Sequence, residues 1–168
     1  KAELLPYAAA TLSKLAWPRY YLDFETINFA IPIWKGARPY QQVPFQWSCH
    51  VERKDGSMGH REYLDISGDD PSRPFAEALL AAVGKSGPIL VYNQGFEGRI
   101  VKALALRYKE LAAPLNALAA RFVDMLPIAR KNYYHPAMKG SWSIKSVLPT
   151  IAAELDYAKL GEVQDGAG

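Results

Sequence analysis

The stretch Arg19-Tyr20-Tyr21-Leu22-Asp23-Phe24-Glu25-Thr26 constrains this chain most. Aromatic and apolar residues dominate it and Pro18 breaks any helix before it, so it reads as a buried strand. Asp23 and Glu25 lie two residues apart, which puts both carboxylates on the same face of a sheet. Burying unpaired charge is costly or forces a shifted pKa, so acids in such a strand need a reason to be there. Two oxygen donors on one rigid face suit a hard divalent cation, above all Mg²⁺ or Mn²⁺. The competing reading ends the strand at Leu22 and leaves both acids in a solvated loop.

A chain of 168 residues, 49% hydrophobic and 22% charged, suits one soluble domain with a sizeable core. It has no apolar run of membrane-spanning length and no basic-then-apolar leader. Its one cysteine, Cys49, excludes an internal disulfide and a cysteine-rich zinc site, and a reducing cytoplasm is the expected location. A net charge of +3 permits a polyanionic partner without demanding one. With no methionine at Lys1 and a glycine-rich end at Asp165-Gly166-Ala167-Gly168, the sequence reads as a piece of a longer protein.

In chain order, residues 1–17 read as a lead-in helix and residues 18–168 as one domain. After the acid-bearing strand and a breaker-rich loop over 28–42, a strand runs over 43–51. Its return runs over about 60–66, joined through Lys54-Asp55-Gly56-Ser57, where Asp-Gly suits a type I′ turn. Residues 71–83 have a helical stripe of Phe75, Leu79, Leu80 and Val83. Pro88-Ile89-Leu90-Val91-Tyr92 suits a central strand, and Asn93 can cap a helix striped with Phe96, Ile100, Leu104, Tyr108 and Leu111. Residues 121–126 read as a short strand leading to Asp124 and a helical turn; 131–142 form an aromatic and basic loop, and 143–155 a helix broken at Pro149. This order predicts an α/β fold: a ribonuclease H-like mixed sheet with an antiparallel hairpin and helices on both faces.

Two motifs carry a resemblance. Leu22-Asp23-Phe24-Glu25-Thr26 resembles the first motif of the DEDD 3′–5′ exonucleases, and Val91-Tyr92-Asn93-Gln94-Gly95-Phe96-Glu97 resembles their second. From about Tyr20 to Ala167 the chain is similar to an uncharacterised bacterial family of predicted nuclease domains, loosely described as RecB-type. That similarity includes Pro44-Phe45-Gln46, Asn132-Tyr133-Tyr134-His135-Pro136 and Ser143-Ile144-Lys145. It implies a metal-dependent nuclease, 3′–5′ exonuclease-like, hydrolysing DNA or RNA with water as nucleophile. The second-motif acid is Glu97 where the pattern has aspartate. The fourth acid belongs on a late helix, and Asp165 comes too early, so the domain is expected to be cut short at its C-terminus.

Cleavage of this type uses two ions, which requires several converging carboxylates. Asp23 is expected to bridge both ions, Glu25 to hold the water-activating one, and Glu97 to bind in the outer shell. With Asn93 as cap, Glu97 lies one residue beyond the capping-box position, so simple capping fits it poorly. Asp124 could support a ligand or a metal-bound water, although a cap on the next turn is the simpler role. Lys145 is the candidate phosphate contact and Trp142 and Tyr134 the candidate base-stacking residues, against a reading as surface lysine and core aromatics. Glu52-Arg53-Lys54 is a weaker restriction-type alternative because it abuts the Asp55-Gly56 turn. The non-enzymatic alternative is a weakened module that binds single-stranded or other nucleic acid, or a second nuclease domain of the same polypeptide.

Overall fold

The computed structural model describes residues 2–152. In chain order its elements are β1 (Glu3–Leu4), α1 (Tyr7–Ser13), β2 (Arg19–Ile27), β3 (Val43–Glu52), β4 (Met58–Leu64), α2 (Ser72–Ala82) and β5 (Ile89–Val91). They continue with α3 (Gln94–Arg107), a 3-10 turn (Lys109–Leu111), α4 (Ala112–Ala119), β6 (Phe122–Asp124) and α5 (Met125–Asn132). Last come β7 (Tyr133–Tyr134), a 3-10 turn (Pro136–Met138) and α6 (Ile144–Ile151). Residues 15–123 form one compact unit, and the segments on either side of them form another. In place of the lead-in helix expected over 1–17, the helix α1 spans only Tyr7–Ser13 after the strand β1, and it groups with residues from Asp124 onward.

The larger unit is built on a sheet of order β4-β3-β2-β5-β6. β2 pairs antiparallel with β3 and parallel with β5, and β3 pairs antiparallel with β4. This is the predicted α/β, ribonuclease H-like mixed sheet with its antiparallel hairpin. Alternation explains β2: Tyr20, Leu22 and Phe24 are buried, while Tyr21 and Asp23 between them are exposed. β3 answers with Trp47, Cys49 and Val51 turned into the same core. Between Glu25 and Thr26 the register slips, so that Glu25 faces Gln46 and Thr26 faces Pro44. Proline cannot donate to a ladder, and a bulge is where a strand tolerates it.

α2 packs on β3 and β4, and α3 and α4 pack on α2. Phe75 and Leu79 are fully buried and join Ile100, Val101, Leu104, Leu115 and Leu118 in one cluster with the sheet residues. Burial at this depth makes a leucine-to-alanine change cost about 2–5 kcal/mol. Within residues 15–123 these helices back the face carrying Tyr20, Leu22 and Phe24. The long helix expected after Asn93 stops at Arg107, and a separate α4 follows. The β3–β4 turn also differs from expectation. Only Gly56 has positive φ (+83°), whereas a type I′ turn needs both central residues there. Instead the Gly56 N–H donates to the Arg53 carbonyl at 2.9 Å, and the Arg53 N–H donates to the Ser57 carbonyl at 2.9 Å. That is the arrangement of a turn followed by a left-handed glycine.

In the other unit β1 pairs antiparallel with β7, Glu3 opposite Tyr134 and Leu4 opposite Tyr133. The Tyr133 hydroxyl lies 2.8 Å from Thr150 Oγ1, which ties β7 to α6. α6 starts at the expected Ser143 boundary and contains Pro149.

The connection from α2 to β5 is held by one side chain. Arg121 Nε donates to the Gly87 carbonyl at 2.8 Å, and its terminal nitrogens donate to the Gly84 and Ser86 carbonyls. Gly87 has φ +89°, and a Cβ there would sit 2.0 Å from the Pro18 carbonyl oxygen. Gly87→Ala is therefore expected to cost about 3 kcal/mol or more, from strained φ and backbone overlap together. Arg121→Ala should cost about 2–3 kcal/mol through charge-assisted bonds lost at half-buried carbonyls. Thermal denaturation followed by circular dichroism checks both, with Tm expected about 5–10 °C below wild type; an unchanged Tm for Gly87→Ala would contradict the close approach.

Candidate functional site

The sheet face opposite the helical core carries the acids. Asp23 stands opposite Ser48 on β3, and Ser48 stands opposite Glu62 on β4. One step along β2, Tyr21, His50 and His60 form a parallel row. The two imidazoles stack with ring centres 4.3 Å apart, as their places on opposing hairpin strands predict. His60 Nε2 also lies 3.0 Å from Ser48 Oγ. Ser48 and Glu62 escape a motif search; counting outward from the glycine turn pairs them with each other, but their alignment with Asp23 depends on the β2–β3 register.

Asp23 is exposed by surface area, yet the protein packed around its carboxyl desolvates it and raises its pKa above the ordinary aspartate value. A smaller opposing effect comes from the backbone at Phe24. The strand thus holds an acid that resists ionisation, the behaviour expected where a carboxylate is kept for a task rather than for stability. Glu25 is half-buried next to the bulge.

Glu97 lies in the first turn of α3 and is 2% exposed. A carboxylate at that depth needs compensation; the positive end of the helix supplies part of it. Asn93 is the N-cap residue as expected, but it adopts a left-handed conformation (φ 78°) and makes no side-chain capping bond. The turn is closed by the backbone instead, Phe96 N–H to the Asn93 carbonyl at 2.9 Å. Topology relates Glu97 to the β2 acids. β2 and β5 run parallel, with Tyr20 beside Ile89 and Tyr21 beside Leu90. The carboxyl ends of both strands therefore point the same way, toward the crevice where open α/β sheets bind ligands. Even so, among the described residues no three histidine, cysteine, aspartate or glutamate side chains are grouped so as to hold a metal ion.

Two of the other candidates, Asp124 and Trp142, make hydrogen bonds within the fold. Asp124 is the N-cap of α5, its Oδ1 accepting from the Leu126 N–H at 3.0 Å, as the simpler reading has it. Trp142 is half-buried and donates its indole N–H to the Tyr133 carbonyl at 3.0 Å. Tyr134 is an exposed residue of β7. Lys145 lines a cavity of about 570 Å³ with His135, Lys139, Ser141, Ser146 and Thr150. Neither aromatic lines that cavity, so a phosphate contact and its stacking partners are not brought together there. Asp165 lies outside the described residues. No helix among the described residues is long and apolar enough to cross a membrane.

The family profile described as "Domain of unknown function (DUF2779)" matches residues 20–143, and the chain belongs to that family. It is 28% identical over 165 residues to "Uncharacterized protein UU173" of Ureaplasma parvum serovar 3. That alignment covers 88% of this chain and 23% of the relative, so the chain spans about a quarter of the relative's length. No solved structure matches it.

The raised pKa of Asp23 makes a testable statement about stability. A carboxyl whose folded pKa exceeds its unfolded one stabilises most below the unfolded value, and loses that contribution as pH rises through the folded value. Asp23→Asn removes the ionisation. Relative to wild type it should gain stability at pH 7 and gain nothing at pH 3. Urea denaturation of both proteins across that range measures the difference, and an equal offset at every pH would contradict the assignment.

Proposed function

We propose that this DUF2779 domain is a metal-dependent nuclease that hydrolyses phosphodiester bonds in the manner of a 3′–5′ exonuclease, with Asp23, Glu25 and Glu97 as its essential acids. The observation that carries the reading is Glu97: a carboxylate 2% exposed, in the first turn after a strand parallel to the one bearing Asp23 and Glu25. Buried acids are kept at such positions when they serve a site.

The donor set is all carboxylate, which fits Mg²⁺ or Mn²⁺ and not a soft metal. Asp23, Glu25 and Glu97 would hold the ions. When bound, they supply a water acidic enough to attack phosphorus and neutralise charge on the leaving oxygen. The chain's own contribution is placement. β2 fixes Asp23 and Glu25 on one face, and the start of α3 fixes Glu97 at the carboxyl end of the neighbouring strand. DNA or RNA is the substrate class in this reading.

A second reading is a nucleic-acid- or partner-binding module within a longer nuclease protein. It draws on the lack of a three-residue ligand group among the described residues and on the chain's 23% coverage of its relative.

Calorimetric titration with Mn²⁺ separates the two. Under the nuclease reading the chain binds at micromolar Kd, Asp23→Ala abolishes binding, and Glu97→Gln weakens it at least about tenfold. Cleavage of end-labelled single-stranded DNA or RNA should fall at least about a hundredfold in the same variants. No Mn²⁺ binding, either by this chain or by one extended at its C-terminus, would overturn the nuclease reading and leave the binding module.

A further inference from the structure

On the helical side of the sheet, at the amino end of β2, lies a cleft of about 380 Å³ that none of the acids touches. Its lining residues are Trp17, Pro18, Tyr20, Val51, Arg53, Lys54, Arg61 and Gly84. Tyr20 and Val51 are buried and make an apolar floor, whereas Arg53, Lys54 and Arg61 are exposed and make a cationic rim. Among the described residues no carboxylate lines it. Of the acids next to the rim residues in sequence, Glu52 accepts from the Tyr21 hydroxyl at 2.6 Å, Asp55 Oδ1 accepts from the Ser57 N–H at 2.9 Å, and Glu62 stands opposite Ser48 on the other face of the sheet.

The rim is held in place. Arg61 reaches the Ala82 carbonyl at the C-terminal end of α2, which fixes its guanidinium at the cleft. Arg53 and Lys54 sit on the hairpin turn closed by Gly56. Gly84 keeps the far wall open, since a Cβ there would come within 2.4 Å of the Tyr20 hydroxyl. Three cations over an apolar floor, Arg61 tethered among them, concentrate positive potential in a small volume, and guanidinium forks match phosphate oxygens in pairs. The volume lies in the range of sites that enclose small ligands.

We propose that this cleft is a phosphate-monoester site of nucleotide size, with Arg53, Lys54 and Arg61 taking the phosphate and the Tyr20–Val51 floor and Trp17 wall taking the attached group. It is separate from the acids of β2, because Tyr20 and Val51 turn to the opposite face of the sheet. The monoester can come from a free nucleotide or from the 5′-phosphorylated end of a strand.

The test is calorimetric titration of the whole chain in EDTA with adenosine 5′-monophosphate, adenosine, and a 5′-phosphorylated dinucleotide. EDTA removes any contribution from divalent ions, so the result is independent of the nuclease reading. Adenosine monophosphate is expected to bind at submillimolar Kd and adenosine to bind at least about tenfold more weakly. The Arg53→Glu, Lys54→Glu double variant changes exposed turn residues and should weaken nucleotide binding at least about tenfold while keeping the wild-type circular dichroism spectrum. In wild type, raising salt from 50 to 500 mM should weaken it severalfold. Dinucleotide binding equal to that of the mononucleotide supports a strand end; its exclusion supports a free nucleotide. No nucleotide binding by wild type, adenosine bound as tightly as its phosphate, or an unchanged Kd in the double variant would overturn the proposal.

Discussion

The larger unit depends on an absent side chain. β2 can lie beside β5 only because Gly87 passes under the Pro18 carbonyl, where any Cβ would overlap backbone. With that approach made, the Tyr20 N–H reaches the Pro88 carbonyl at 3.0 Å and the Ile89 N–H reaches the Arg121 carbonyl at 2.9 Å. Arg121 then secures the preceding connection, whose carbonyls at Gly84, Ser86 and Gly87 have no sheet of their own to pair with. Burial lowers the Arg121 pKa. The parallel pairing, and with it the common direction of the two strand ends, follows from this junction.

Against that rigid frame the acids are placed at some cost. Asp23 occupies a central strand whose surroundings disfavour its charge, and Glu97 is buried at a helix start. Asp23 is not what stability alone would choose, since an amide side chain there would carry no charge to desolvate. Local preference and global fold agree nearly everywhere else in this unit. Places where they disagree are where function is to be looked for.

Much of the fold was legible because it rests on periodicity. The alternation in β2 and β3 and the Phe75–Leu79 stripe each reflect burial of one face, which sequence records directly. The two-residue strands β1 and β7 are too short to have a period, and their pairing depends on segments about 130 residues apart in the chain, as Glu3 opposite Tyr134 shows. α4 is mostly alanine and leucine and merged with the helix before it until Tyr108 broke the run. For the site, the shared face of Asp23 and Glu25 was readable from spacing. The depth of Glu97 and the alignment of Ser48 and Glu62 with Asp23 were not, because they come from tertiary packing and cross-strand register. The cationic cleft was equally hidden. Its lining joins a turn, a strand and the residues just before β2, which only the fold brings together.

Cys49 gives the central sheet a reporter of its own. It is the one cysteine in the chain, fully buried among Leu22, Trp47 and Phe75, with its thiol pKa pushed up to about 11 by burial. A thiol so placed is inert until the strands around it separate. The rate at which a thiol reagent reaches Cys49 therefore measures how often the β2–β3 core opens, a clock that needs no introduced label and reads only the part of the molecule that supports the acids.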